Sequence, residues 1–290
     1  MANSGLATVS EALEGATVAF DAAGVDEARV DAEVLLSAVT GLGRAELVVE
    51  GERDLQPAQS REFAGYVRRR LRREPVAYIL GRSWFRNLEL GTDRRGLIPR
   101  PETELLVDLA LELAPSAVLD IGTGSGALAL AICDELPGCR VVATDVSAEA
   151  LDLARENARL AGLDDRVELI AGTWPSGGNF DLVLANLPYV ATGDPLPPEV
   201  AEWEPPGALF GGPDGLSVIR SVLAELPHSG VQAPTVALEV GAGQAAAVAE
   251  LLSRAGYGRT ETRPDLAGIE RIVIGRADLS NGQDCDHSAR

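Results

Sequence analysis

From residue 99 onward, short apolar runs alternate with segments of helical periodicity, and this alternation restricts the fold more than any other feature of the chain. The runs are 117–121 (AVLDI), 140–145 (RVVATD), 166–170 (RVELI), 180–185 (FDLVLA), 235–240 (TVALEV) and 270–275 (ERIVIG). Helical spacing falls between and around them, over 102–113, 125–135, 147–161, 214–225 and 244–255. Runs without apolar/polar alternation are buried on both faces, and intervening helices provide the cover, so the pattern predicts an α/β fold with a parallel sheet. Ligands of such open sheets bind in the crevice outside the carboxyl ends of the strands. The residues just after each run are therefore the ones to read for chemistry.

The first 75 residues have a different character. In VDEARVDAEVLLSAVTGL, Val30, Val34, Leu35, Ala38 and Val39 share one helix face, and Gly41 and Gly43 end the pattern. In QSREFAGYVRRRLRREP, Phe63, Tyr66, Val67 and Leu71 do the same, and Pro75 stops the helix. Arg68, Arg69, Arg70, Arg72 and Arg73 crowd its C-terminal end. They read either as a solvated face complementing the helix dipole or as a patch for docking a partner. Residues 76–98 change again, with Phe85, Leu88 and Leu90 followed by Gly91-Thr92-Asp93, and suggest a short hairpin. The expected organisation is a helical domain at 1–75, a β-hairpin linker at 76–98, the α/β domain at 99–277, and a polar, disordered tail at 278–290.

Composition narrows the possible classes. The net charge is −19 and every basic residue is arginine, which lowers the expectation of a nucleic-acid partner. No apolar run reaches the roughly 18–20 residues that span a bilayer, and the N-terminus does not read as a signal peptide. The three cysteines (Cys133, Cys139 and Cys285) form no Cys-x-x-Cys pair and lie far from His228 and His287. Neither a disulfide framework nor a metal site is expected, and a reducing cytoplasm suits the chain.

After the first run comes GTGSG. Gly122, Gly124 and Gly126, with Thr123 and Ser125 between them, allow a tight turn and close approach of a ligand to exposed helix-start amides. Asp145 ends the second run, about 20 residues on, where a carboxylate can accept both hydroxyls of a ribose. The bland alternative is a tight turn with a capping acid. Asp120, two residues before the first glycine, is ill placed beside a diphosphate but suits a cation, which favours S-adenosylmethionine over a dinucleotide. Trp174, after the third run, is placed either to cover an adenine face or to anchor its loop in the core.

The fourth run ends in Asn186-Leu187-Pro188-Tyr189. An Asn side-chain oxygen and the next carbonyl are two acceptors that can hold both hydrogens of an NH2 group. That grip turns the nitrogen lone pair toward an electrophilic methyl and disperses the positive charge that grows on transfer. Pro188 stiffens the turn, and Tyr189 can wall the pocket. Asn186 would thus face both the substrate and the reactive end of the cofactor.

The segments EPVAYILG, LIPRPETELLVD, VLDIGTGSGALALAI, DVSAEALDLARENA, FDLVLANLPYV, ALFGGPDGL and DLAGIERIV occur in that order. With them the chain resembles the HemK/PrmC-type protein glutamine N5-methyltransferases over about residues 10–276. The resemblance implies a class I S-adenosylmethionine-dependent methyltransferase domain, Rossmann-like with a seven-stranded sheet, behind a small N-terminal helical domain that docks the substrate. It implies action on the Gly-Gly-Gln glutamine of a class 1 peptide chain release factor; a monomer is the separate expectation. It implies cofactor contacts from Gly122, Thr123, Gly124, Ser125, Gly126, Asp145 and Trp174, and a grip on the substrate amide from Asn186 to Tyr189. Arg100 and Glu102 belong to the family signature without an assigned chemistry. Leu187 stands where the family usually has Pro, and Thr173 where it often has Asp. Three alternatives stay open: an N6-adenine methyltransferase acting on a flipped base, a paralogue with another protein substrate, and a non-enzymatic S-adenosylmethionine sensor.

Overall fold

A computed structural model of the chain describes residues 7–277; the tail expected at 278–290, with Cys285 and His287, lies outside the described residues. The chain divides into two compact units, one of residues 1–82 with 196–203 and one of 83–195 with 204–290.

The first unit is helical, with helices Val9–Ala22, Ala28–Thr40, Arg44–Val49, Pro57–Arg70 and Val76–Leu80. Thr8 caps the first of these through a reciprocal pair with Glu11. Leu13, Phe20, Leu35, Leu36, Leu47 and Phe63, spaced at helical periods along their segments, meet in one core. The arginine cluster of the fourth helix is neither a purely solvated face nor a free patch. Arg70, buried, donates to Asp31 at 2.7 Å and to Glu199 at 2.8 Å. Arg73 donates to both oxygens of Glu199, and Arg69 makes a paired contact with Glu74. Burial opposes the charge on Glu199, but the Arg73 and Arg70 guanidinium groups prevail and hold its carboxyl down at about 2. Only Arg68 and Arg72 of the five are exposed. These acid partners also explain why 196–203, inside the stretch expected to be one domain, belongs with the helices.

The second unit opens with the short strands Arg82–Phe85 and Leu88–Gly91, which pair with each other. Its main sheet has seven strands: β1 (Ala117–Ile121), β2 (Arg140–Asp145), β3 (Val167–Ala171), β4 (Leu182–Ala185), β5 (Thr235–Glu239), β6 (Arg259–Pro264) and β7 (Glu270–Arg276). Their order is β6-β7-β5-β4-β1-β2-β3, parallel from β5 to β3, with β7 antiparallel to β5 and to β6. Successive residues of the central strands face opposite cores. Val118, Val141 and Leu182 join one, and Leu119, Val142 and Val183 the other, so both faces are covered. This is the α/β class I methyltransferase architecture expected of the sequence, with the chain order reversing between β1 and β4. Among the described residues, no helix is long and apolar enough to cross a membrane.

One buried amide ties the hairpin to the sheet's ligand end. Asn157, fully buried, accepts the Gly91 N–H at 2.7 Å and donates to the carbonyls of Gly91 and Ser125 at 3.1 and 2.9 Å. Asn157→Ala removes all three bonds and strands backbone groups in the interior. It is expected to lower unfolding stability by about 3 kcal/mol, measured by urea titration.

Candidate active site

The glycine loop is shaped by the carboxyl ends of β1 and β2. Gly122, Gly124 and Gly126 have φ of 72°, 57° and 85°, a region that costs any residue with a Cβ. The N–H groups of Gly122 and Thr123 both donate to the Thr144 carbonyl, at 2.8 and 2.9 Å, which folds the loop over the end of β2. Asp145 then clamps it from the other side. Its Oδ2 accepts the Gly124 N–H at 2.9 Å and its Oδ1 the Ser147 N–H at 2.8 Å. Each oxygen has a second lone pair, so Asp145 can hold the loop and still accept a ribose hydroxyl.

The loop borders a cavity of about 490 Å³. Of the residues singled out in the sequence, Asp120, Gly122, Thr123, Gly124, Ser125 and Asp145 line it. Asn186, Leu187 and Pro188 do so as well, as does Arg100. Gly126 instead starts the helix Ala127–Glu135 and lies against Ala154. Trp174 does not line the cavity, where Gly172 and Thr173 of the same loop stand. Its indole N–H donates to Glu225 at 3.1 Å, and its ring packs on the core, so it anchors the loop. Tyr189 does not line the cavity either; its hydroxyl donates inward to Glu239 at 3.2 Å. Glu102 is also absent from the lining, whereas Arg100 is held there by the buried carboxylate of Glu204. Glu204 further accepts the Ile98 N–H at 3.1 Å and so fixes the segment leading to Arg100.

Asp120 is fully buried beside the cavity; its Oδ2 and the Thr123 hydroxyl form no well-aligned hydrogen bond, although the hydroxyl lies close enough to favour the charged carboxylate. Burial pushes the Asp120 carboxyl up to about 7; the Thr123 hydroxyl acts in the other direction, and the negative charge of Asp145 adds to the rise. A cation bringing hydrogen-bond donors is the ligand such a site lacks.

Asn186 follows the last residue of β4, and its side chain is anchored. Its Nδ2 donates to Thr103 Oγ1 at 2.8 Å, and Thr103 donates to Glu239 Oε2 at 2.6 Å. Burial raises the Glu239 carboxyl, while the Thr103 and Tyr189 hydroxyls that donate to it act in the other direction. The backbone after Asn186 is held just as closely. Leu187 is buried with its Cδ2 3.1 Å from where a Cβ on Gly122 would lie. Gln244 donates to the Tyr189 carbonyl at 2.9 Å, and Val190 exchanges backbone bonds with Leu209 and Gly211.

Thr103, Glu239, Gly211 and Gln244 were not singled out from the sequence for this site. Thr103 and Gly211 lie in quoted motifs (LIPRPETE and ALFGGPDGL), and Glu239 is an acid inside an apolar strand, which was a usable signal.

Comparison with known proteins places the chain among relatives. A family model described as the PrmC N-terminal domain matches residues 11–81, and one described as a methyltransferase domain matches 118–202. The chain is 39% identical over 262 residues to a release factor glutamine methyltransferase of Caulobacter vibrioides, covering 87% of this chain and 91% of that one. It is 42% identical over 260 residues to that of Geobacter sulfurreducens, with 87% and 91% covered. It is 40% identical over 272 residues to that of Deinococcus radiodurans, with 91% and 96% covered. Among solved structures, the hMettl16 catalytic domain in complex with MAT2A 3'UTR hairpin 6 aligns with a TM-score of 0.55 at 16% identity, over 76% of this chain and 83% of that one. A methyltransferase from Pyrococcus furiosus aligns at 0.50 and 18% identity, over 66% and 90%. At such identities the two structures speak for the fold alone.

Proposed function

The chain belongs to the family of release factor glutamine methyltransferases, and we propose from this premise that it methylates N5, the side-chain amide nitrogen, of the Gly-Gly-Gln glutamine in a class 1 peptide chain release factor. It is an enzyme of the methyltransferase class. S-adenosylmethionine, when bound, supplies a methyl group made electrophilic by its sulfonium. The cavity's own atoms fit that ligand: a buried carboxylate oxygen of Asp120 with no well-aligned hydrogen bond, and a glycine loop held by Asp145. Asp120 and Thr123 would meet the cationic part, and Asp145 a ribose hydroxyl.

The observation that carries the reading is the Asn186 amide, which lines the same cavity with its Nδ2 already engaged by Thr103. That leaves Oδ1 as the arm for a ligand. In this reading Asn186 Oδ1 and the Leu187 carbonyl accept the two N–H groups of the substrate amide. They favour a pyramidal nitrogen with its lone pair aimed at the methyl, and they spread the charge that develops there. Neither acceptor is a strong base, so the surplus proton leaves only after the nitrogen is alkylated. A carbonyl is equally available from Leu and from Pro, so Leu187 preserves the grip. The helical unit of the first 82 residues is the part assigned to docking the release factor, and the cytoplasm is the compartment where such a substrate resides.

Incubation with labelled S-adenosylmethionine and a release factor, followed by peptide mapping, tests the proposal. Label on the tripeptide glutamine, lost when that glutamine is changed to glutamate, supports it. Label on nucleic acid and none on the protein contradicts it.

The Asp120 carboxylate adds a pH dependence. Below about 7 Asp120 is protonated and attracts no cation; above it the charge is present. Affinity for S-adenosylmethionine is therefore expected to fall about tenfold from pH 8 to pH 6 by calorimetry. Asp120→Asn should flatten that part of the profile.

A further inference from the structure

Thr103 and Glu239 occupy no assigned role, yet they form a buried relay ending on the one side chain that the proposed reaction needs in a single orientation. A carboxamide is nearly symmetric in shape, and its two arms differ only in that one donates and the other accepts. Turned the wrong way, Asn186 would point N–H groups at a substrate NH2, and the grip would become a repulsion.

The hydrogen-bond directions remove that choice. Glu239 is 1% exposed; its ionised form, which the Thr103 and Tyr189 hydroxyls favour against burial, only accepts. Its Oε2 takes the proton of the Thr103 hydroxyl at 2.6 Å, and its Oε1 takes that of Tyr189 at 3.2 Å. A hydroxyl has one proton to give. Once it points at Glu239, the Thr103 oxygen can only accept from Asn186, whose Nδ2 lies 2.8 Å away. The planar amide then carries Oδ1 on its opposite arm. Thr103 comes from the turn before the helix Glu104–Leu113, and Glu239 from the end of β5, so two elements converge on the end of β4.

We infer that Thr103, which also borders the cavity, and Glu239 are positioning residues that set the polarity of the Asn186 amide. The inference rests on the proposed grip of Asn186 on the substrate amide, and its test separates the two.

Thr103→Val keeps the shape and deletes the hydroxyl, so Asn186 loses its polarity. Turnover of a release factor is expected to fall about thirtyfold, with KM and the S-adenosylmethionine Kd within about twofold of the parent. Thr103→Ser restores the hydroxyl and should return the rate to within about threefold. Glu239→Gln adds a donor facing Thr103, which allows the chain of bonds to run backwards, and should cost at least as much as Thr103→Val. The serine rescue keeps the idea testable if a Glu239 variant fails to fold. Equal losses in Thr103→Val and Thr103→Ser would overturn the relay, because size and not the hydroxyl would then matter. A Thr103→Val enzyme with parental kcat would overturn it too. If Asn186→Ala is inactive in the same assay, only the relay has failed; if Asn186→Ala is also fully active, the grip itself is wrong.

Discussion

Asn186→Ala is expected to lower kcat for release factor methylation at least about a hundredfold while leaving S-adenosylmethionine affinity within about twofold of the parent chain. The asymmetry follows from where the side chain sits. Asn186 follows β4 and lines the cavity beside the glycine loop, but the loop is shaped by Thr144 and Asp145, which the substitution does not touch. An amide nitrogen is a poor nucleophile because its lone pair is delocalised into the carbonyl. An acceptor that holds its N–H groups therefore contributes most as charge grows in the transition state and least to ground-state binding. The measurement is a single-turnover rate alongside calorimetric cofactor binding. Parental rates in the variant would remove Asn186 from the chemistry.

The second large effect is structural and reaches the same site. Gly211→Ala should cost about 3 kcal/mol or more of stability, lowering Tm by roughly 6–12 °C, because the new methyl collides with main chain on two sides. A Cβ on Gly211 would lie 2.2 Å from the Gly215 carbonyl oxygen and 2.5 Å from that of Pro188. Backbone carbonyls cannot swing aside as a flexible side chain can. The Gly211 N–H also donates to Val190 at 2.9 Å, and its carbonyl accepts from Ser217 at 2.7 Å, so displacing residue 211 strains two hydrogen-bonded neighbours. Since Pro188 belongs to the turn that presents Asn186 and the Leu187 carbonyl, residual folded protein should also turn over more slowly. Thermal denaturation by circular dichroism checks the first statement. A variant melting within about a degree of the parent would contradict it.

What the sequence disclosed and what it withheld follow from the reach of each signal. Five strands of the main sheet are legible because their runs are largely buried on both faces, and the edge strand β3, only half-buried, because Val167, Leu169 and Ile170 still mark it. The seventh, β6, reads RTETRP and is largely exposed. It lies at the sheet edge and pairs only with β7, so no hydrophobic pattern marks it. The glycine loop and Asp145 are legible because positive φ and a strand-end acid are local demands. Trp174 reads two ways because its position puts an aromatic near the crevice but does not say which way the ring turns; the bond of its indole to Glu225, distant in sequence, is not recorded in the local pattern. The arginines near residue 70 illustrate the same limit, since helical spacing shows their face but not the acids at Asp31 and Glu199 that occupy them. The Thr103–Asn186–Glu239 relay joins residues 83 and 136 positions apart. Only the order of strands in the sheet brings these residues together, and no periodicity records that order.

The claim on which the account depends is that Asn186 Oδ1 and the Leu187 carbonyl together hold a substrate NH2 group. A crystal structure of the protein with S-adenosylhomocysteine and a release factor measures this directly. The account predicts the glutamine nitrogen within about 3.2 Å of both oxygens, with Asn186 Nδ2 still on Thr103. A glutamine nitrogen bonded to neither oxygen, or an Asn186 amide donating to the substrate carbonyl instead, would contradict it.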